Sequence, residues 1–168
     1  MKQLFEKIIL LGRPASGKSE VINYLKNTPD NERKERFHIG KLVEIDDFPM
    51  LWTWFEEDDI LEKKFGKPRL HSDSEGYFKE EYLWHLLIER ISFDYAKSVR
   101  DLEDKAKEVT HLIEFSRGTE HGGYKAAFKH LSKELLENAA LLYINVPFEE
   151  SLRKNRKRFN PNKPDSVL

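Results

Sequence analysis

The apolar residues fall into short unbroken runs separated by longer polar or amphipathic stretches. The first run is Ile8-Ile9-Leu10-Leu11, and Phe5 to Leu11 reads as a strand. An unbroken run, unlike an alternating one, suits a central parallel strand covered on both faces. Similar runs recur at Lys41–Ile45, Val109–Phe115 and Leu141–Val146. After the first strand, Glu20 to Lys26 reads as a helix that extends to Asn27, where Thr28-Pro29-Asp30-Asn31 ends it. Asn31 to Arg36 is dense in charge and reads as a solvated loop.

Between the second and third runs the pattern is helical. Pro49-Met50-Leu51-Trp52-Thr53-Trp54-Phe55 is an aromatic cluster, followed by Glu56-Glu57-Asp58-Asp59. The aromatics fit the core of a helical segment or a stacking wall for a substrate ring, and core is the commoner fate. The acidic run reads as a solvated helix face. Gly66-Lys67-Pro68 breaks the helix, and Arg69 to Gly76 is a polar loop holding His71 and Asp73. Tyr77 to Lys107 reads as one helix or two, with Phe78, Tyr82, Leu86 and Tyr95 near helical spacing. Asp101/Lys105 and Glu103/Lys107 are spaced as i,i+4 pairs. After the third strand, Gly122-Gly123 opens a helix expected over Tyr124–Asn138. Pro147 stops the fourth strand, and a helix from Phe148 carries Arg153, Lys154, Arg156, Lys157 and Arg158. The tail, Phe159 to Leu168, reads as loop. This order predicts an α/β fold with a parallel sheet, in which residues 48–107 form a helical insertion between strands two and three. Residues 1–168 are expected to form one domain.

The junction of the first strand and helix carries the most specific chemistry. Gly12-Arg13-Pro14-Ala15-Ser16-Gly17-Lys18-Ser19 is a G-x-x-x-x-G-K-S loop in the strand–loop–helix context that a P-loop requires. Gly12 and Gly17 allow tight turns and close approach to a pyrophosphate. The loop amides and the helix N-terminus, from Gly12 through Glu20, are the expected phosphate cradle. Lys18 is expected to reach the outer phosphates and Ser19 to ligate Mg²⁺. The other strand ends add candidates. Asp46-Asp47 ends the second strand, at the sheet edge where open parallel sheets bind ligands. Asp47, preceding Phe48-Pro49, suits an N-cap, which leaves Asp46 as the candidate base or Mg²⁺ partner. Glu114 ends the third strand and is the candidate for organising Mg²⁺ and its water. Arg117 is read as a phosphate or acceptor ligand or as a surface arginine. Arg153 and Arg156 are read as guanidinium groups that close on the transferring phosphate, or as a solvated basic helix end.

Composition narrows the classes. The chain has 168 residues, with 39% hydrophobic and 35% charged residues, as expected of one globular domain with a polar surface. Its net charge of −1 gives no general pull toward nucleic acid or membrane. It has no cysteine, which excludes disulfides and thiolate metal sites. The six histidines are scattered without ligand spacing, so no metal beyond Mg²⁺ is expected. The N-terminal apolar run is too short for a signal peptide or membrane span, so a cytoplasmic location is expected.

Taken together, G-R-P-A-S-G-K-S, E-I-D-D-F, L-I-E-F-S-R-G and L-Y-I-N-V-P-F-E-E-S-L-R-K-N-R-K-R each follow a strand in turn. In this combination the chain resembles the P-loop kinases of nucleosides, nucleotides and small metabolites. The resemblance implies a three-layer P-loop NTPase fold and phosphoryl transfer from ATP, with Mg²⁺, to a small-molecule acceptor. It implies that Asp46 takes the acceptor proton, as in the uridine and nicotinamide riboside kinase pattern. It further implies that Glu114 holds Mg²⁺ or the acceptor, and that Arg153, Arg156 and Arg158 begin a lid. The usual fifth strand and its base-contacting loop have no counterpart in the pattern, and the helical insertion matches no known acceptor domain. The expected partners are therefore a nucleoside triphosphate and a small molecule, with a homodimer allowed. Two other classes compete. One is a nucleotide-binding regulatory module. The other is a GTP- or ATP-hydrolysing switch, for which Asp73-Ser74-Glu75-Gly76 matches D-x-x-G and Asn162-Lys163-Pro164-Asp165 matches N-K-x-D. Neither match follows an apolar strand, so both read as coincidence.

Overall fold

The computed structural model describes residues 3–158, so the expected tail loop and the N-K-x-D match lie outside the described residues. The strands are β1 (Lys7–Gly12), β2 (Lys41–Asp46), β3 (Val109–Glu114) and β4 (Ala140–Ile144). They form a parallel sheet in the order β2-β3-β1-β4. The helices are α1 (Lys18–Asn27), α2 (Asp30–Phe37), α3 (Phe48–Phe65), α4 (Tyr82–Leu102), α5 (Gly123–His130), α6 (Lys133–Leu136) and α7 (Phe148–Arg158). The period-two geometry of the strands divides their apolar side chains between the two faces. Ile8, Leu10 and Leu112 pack with Ile22 and Leu25 of α1 and with Ile39. Ile9, Leu11, Ile45 and Ile113 pack with Ile88, Ile91 and Tyr95 of α4, Ala127 of α5 and Leu135 of α6. With helices on both faces, β1 and β3 are buried along nearly their whole length, and the continuous apolar runs follow from that. At the opposite edge β4 leaves Leu141, Leu142 and Tyr143 exposed. Among the described residues no helix is long and apolar enough to cross a membrane.

Several local readings are corrected. The charged stretch after α1 is a helix, α2, because Arg33 is buried on it rather than solvated. Its guanidinium donates to the carbonyls of Leu25, Thr28 and Gly40, and this ties the start of β2 to the end of α1. On α4 the buried stripe is Leu83, Leu87, Ile88, Ile91 and Tyr95, while Tyr82 and Leu86 face outward. The expected stripe mixed two faces because Tyr95, nine residues after Leu86, lies about half a turn round the helix from it, and Phe78 precedes the helix. α4 ends at Leu102 and a 3-10 turn follows, so Lys105 and Lys107 are off the α-helical register their pairing assumed. The helix expected over Tyr124–Asn138 is two helices. Leu131 leaves helical geometry, and the Ser132 hydroxyl caps α6 by accepting from the Leu135 amide.

The acidic run on α3 is also not uniformly solvated. Asp58 is fully buried and accepts from the amides of Leu70, His71 and Ser72 and from the Ser72 hydroxyl. Trp54, one turn earlier, stacks on His71 at 4.7 Å. These contacts bind the polar loop back onto α3. The aromatic cluster is core: Leu51, Trp54, Leu83 and Leu87 are buried together, with Trp52, Phe55, Phe78 and Trp84 packed against them. Asp73, the first residue of the D-x-x-G match, accepts from the Glu75 and Tyr77 amides and closes a turn.

Burial works against the Asp58 charge, but the hydrogen bonds from Leu70, Ser72 and His71 outweigh it and hold its pKa at about 2. A carboxyl depressed in the folded state stabilises above its unfolded pKa, and that stabilisation is lost as pH falls from about 4 toward about 2. Asp58→Ala should cost about 3 kcal/mol in urea unfolding at pH 7, because it strands several donors at once. The difference between the variant and the unsubstituted chain should shrink as the measurement moves into that acid window.

Candidate functional site

The C-terminal ends of β1, β2 and β3 bring Gly12, Asp46 and Glu114 to one edge of the sheet. Asp46 and Glu114 are direct neighbours in the β2–β3 register. From this edge the chain passes through Arg13–Ser16 into α1, whose N-cap is Gly17 at φ 108° and ψ 14°. This is a left-handed conformation that a side chain would strain. Gly17 has no side chain with which to cap α1, and the backbone amides of the first turn lie at the end of the loop. Ala15 is also left-handed, at φ 54°, which costs on the order of 1 kcal/mol for a residue with a Cβ. A Cβ on Gly12 would stand 2.5 Å from the Ser16 hydroxyl oxygen and 3.2 Å from the Ile144 carbonyl oxygen, so Ser16 would have to turn away. That hydroxyl is buried without a hydrogen-bond partner.

Lys18 is 7% exposed, and its ammonium is turned into the loop. It donates to the carbonyls of Gly12 (3.2 Å) and Arg13 (3.3 Å) and to the Ser116 hydroxyl (2.9 Å). Glu114 Oε1 lies 3.7 Å from it. Ser19 and Glu20 are exposed on the first turn of α1. Glu20 leans back until its carboxylate is 3.8 Å from where a Gly17 Cβ would stand, as an anion near a helix N-terminus should. Arg13 and Pro14 are exposed and face α7, with the Arg13 guanidinium 5.6 Å from the Phe148 ring and the Pro14 carbonyl accepting from the Ser151 hydroxyl.

The cap bond expected of Asp47 is made by Asp46 instead. The Asp46 carboxylate accepts from the Phe48 amide at the start of α3 (3.0 Å), while the Asp47 side chain makes no cap bond. Asp47 instead turns inward and forms an ion pair with Arg117 at 2.5 Å, with both side chains almost fully buried. Arg117 also donates to the carbonyls of Ser116 and Trp84 and lies 5.1 Å from the Trp84 ring centre. It is therefore not a surface arginine. Its guanidinium joins the end of β2, the loop after β3 and α4. Arg153 is exposed and forms a fork–fork pair with Glu150 (2.7 Å for each bond), and Arg156 is exposed further along α7. The side chain of Arg158 lies outside the described residues.

All three acids have raised pKa values, with burial the largest cause. Asp47 is pushed up to about 6 despite the opposing Arg117 charge. Asp46 is raised although solvent reaches its carboxylate, because protein surrounds it on the remaining sides; the Phe48 amide and the Lys18 charge oppose the shift. Glu114 is raised by burial and by the neighbouring aspartates, against Lys18. The donor set suits a magnesium–phosphate group. Mg²⁺ takes one or two carboxylates together with phosphate and water oxygens, and the α1 N-terminus and Lys18 supply the complement to phosphate. Among the described residues no group of three or more His, Asp or Glu side chains is placed to hold a metal ion. The histidines are nonetheless partly gathered, since His85 stacks on His130 at 4.5 Å and His130 contacts Glu89.

Two residues at this site had no place in the sequence reading. The Tyr124 hydroxyl donates to the Gly12 carbonyl (2.9 Å) and accepts from the Gly12 amide (3.1 Å). The Ser116 hydroxyl donates to the same carbonyl (3.1 Å). Ser116 has a weak sequence signal, as the second residue after Glu114. Tyr124 has none, because only the α5 packing brings it to Gly12.

No family model matches the chain, and no curated protein matches its sequence.

The raised carboxyls set the sign of a pH effect. The folded chain retains protons that the unfolded chain gives up, so stability falls as pH rises from about 4 to about 6 and levels off above that. Asp47→Asn should flatten this slope, as measured by denaturation midpoints across the same range.

Proposed function

We propose that this chain is a P-loop phosphotransferase that moves the γ-phosphoryl group of ATP to a hydroxyl or phosphate of a small molecule. The observation that carries the reading is the position of the Lys18 ammonium. It lies within the Gly12–Ser19 loop, at the start of α1 and 3.7 Å from Glu114, whose strand neighbour is Asp46. A cation, a helix N-terminus and paired carboxylates at one sheet edge are what phosphoryl transfer requires, because catalysis there is mostly positioning and charge stabilisation.

The residues divide the work. The loop from Gly12 to Glu20 cradles the phosphates through its amides, and Lys18 neutralises the outer ones. Ser19, Glu114 and Asp46 are the residues that would hold Mg²⁺, which would supply neutralisation of the phosphate charge. Asp46 receives the proton of the acceptor hydroxyl as the acceptor oxygen bonds to phosphorus and the bond to the ADP oxygen breaks. Its upward-shifted pKa brings its basicity closer to that task. Arg117 acts at one remove, since its pair with Asp47 fixes the segment that carries Asp46. Arg153 and Arg156 are exposed on a helix whose first turn is bonded to the loop through Ser151 and Pro14. Arg153 can exchange the Glu150 carboxylate for a phosphate, two of whose oxygens can likewise accept from the guanidinium fork. Residues 48–107, between β2 and β3, serve as the acceptor-binding insertion, placed directly after Asp46.

The test is ADP release from Mg-ATP across a panel of nucleosides, nucleoside monophosphates and hydroxylated metabolites. Release should depend on one acceptor class, and Lys18→Ala should lower it by on the order of a hundredfold or more while circular dichroism is unchanged. Nucleotide binding without acceptor-dependent release would instead indicate a regulatory module. Asp46→Asn should reduce turnover far more than nucleotide affinity, as read from single-turnover rates beside equilibrium binding. Equal losses in both would assign Asp46 to the α3 cap alone.

A further inference from the structure

The Lys18 ammonium donates to the Gly12 carbonyl, the Arg13 carbonyl and the Ser116 hydroxyl, and the Glu114 carboxylate lies 3.7 Å away. Of the three acceptors, only Ser116 is a side chain. Its hydroxyl is also oriented, because its own proton is given to the Gly12 carbonyl at 3.1 Å, which leaves its lone pairs toward Lys18. The Gly12 peptide is fixed in turn by Tyr124, which bonds both its amide and its carbonyl. To meet a phosphate outside the loop, Lys18 has to give up part of this set.

We infer that Ser116 is a positioning residue that docks Lys18 inside the loop, so that anion binding has to pull the ammonium out of a preformed socket. The inference rests on the phosphate-binding reading above, but the docking itself can be measured without any nucleotide. Two features favour docking over incidental contact. The hydroxyl is 2.9 Å from Nζ, the shortest hydrogen bond that Lys18 makes to these three acceptors. Tyr124 and Ser116, which are distant from Lys18 in sequence, both hold the one carbonyl against which Lys18 rests. Hydrogen bonds to its charged form and the Glu114 carboxylate 3.7 Å away make an ammonium inside the loop less reachable by an acylating reagent than one in water.

The experiment is competitive acetylation by trace acetic anhydride, with the Lys18 peptide quantified by mass spectrometry. It compares the unsubstituted chain with Ser116→Ala, Ser116→Val and Ser116→Thr. Ala and Val remove the hydroxyl, and Thr keeps it in the shape of Val. Lys18 labelling should rise on the order of tenfold in the Ala and Val variants and stay unchanged in Thr, matching the loss of one hydrogen bond to a charged group. Labelling of Lys7, a buried lysine donating to the Glu134 carbonyl, should not change in any of them and reports on global loosening. If Ser116→Ala does not fold, the Thr/Val pair gives the same comparison. Equal Lys18 labelling in Thr and Val, or a rise matched by Lys7, overturns the inference. Mg-ATP affinity by calorimetry is the second arm. It should tighten several-fold in Ser116→Val relative to Thr, and that gain should vanish when both variants also carry Lys18→Ala. A gain that persists without Lys18 overturns the docking. Failure of the unsubstituted chain to bind Mg-ATP overturns the phosphotransferase reading and leaves the labelling result to decide the docking.

Discussion

The Gly12 carbonyl has two lone pairs and is approached by three donors: the Tyr124 hydroxyl, the Ser116 hydroxyl and the Lys18 ammonium. Much of the site depends on this crowding. It joins β1, the loop after β3, the start of α5 and the start of α1 around one peptide group. Because β1 is the strand next to both β3 and β4, fixing its last residue fixes the loop that follows. A donor that exceeds the capacity of its acceptor is also one that can leave without stranding that acceptor. Of the three, Lys18 is the one with other acceptors and a flexible stem.

A second constraint acts on the neighbouring edge. Asp47 and Arg117 are nearly fully buried, and each leaves one polar atom without a partner, Oδ1 and Nε respectively. Such a pair adds little net stability, because desolvation consumes most of its Coulombic gain. Its value lies in where it holds things. It joins the end of β2 to the loop after β3, and the Arg117 contacts with Trp84 extend the link to α4. Raised carboxyl pKa values at Asp46, Asp47 and Glu114 are the accompanying cost. The fold gathers acids at one edge and tolerates their mutual repulsion, a pattern that marks functional sites more often than structural ones.

The helical segment between β2 and β3 is organised differently. Its cohesion comes from an aromatic core and from one buried carboxylate, Asp58, surrounded by donors. Asp47 lies immediately before α3, and α4 carries Trp84, so this segment and the carboxylate edge meet through Arg117. A change in the packing of α4 therefore acts directly on the segment carrying Asp46.

The sequence by itself determined the parts that depend on local pattern. Continuous apolar runs marked β1 and β3 because a strand covered on both faces has no polar side to show, and Gly12 and Gly17 marked the loop because tight turns and close approach there favour glycine. The parallel α/β order followed from the alternation of strands and helices. Only the tertiary structure decided which polar residues are inside. Arg33 and Asp58 look like their solvated neighbours in sequence, and what buries them is a set of backbone groups elsewhere in the chain that need partners. Asp46 and Asp47 are adjacent and chemically identical, and their division of roles was set by Arg117, seventy residues away. Tyr124 reaches Gly12 across 112 residues. Periodicity reports how a residue faces its own element, whereas hydrogen bonds and ion pairs of this kind depend on where other elements end, and that is fixed only when the layers pack.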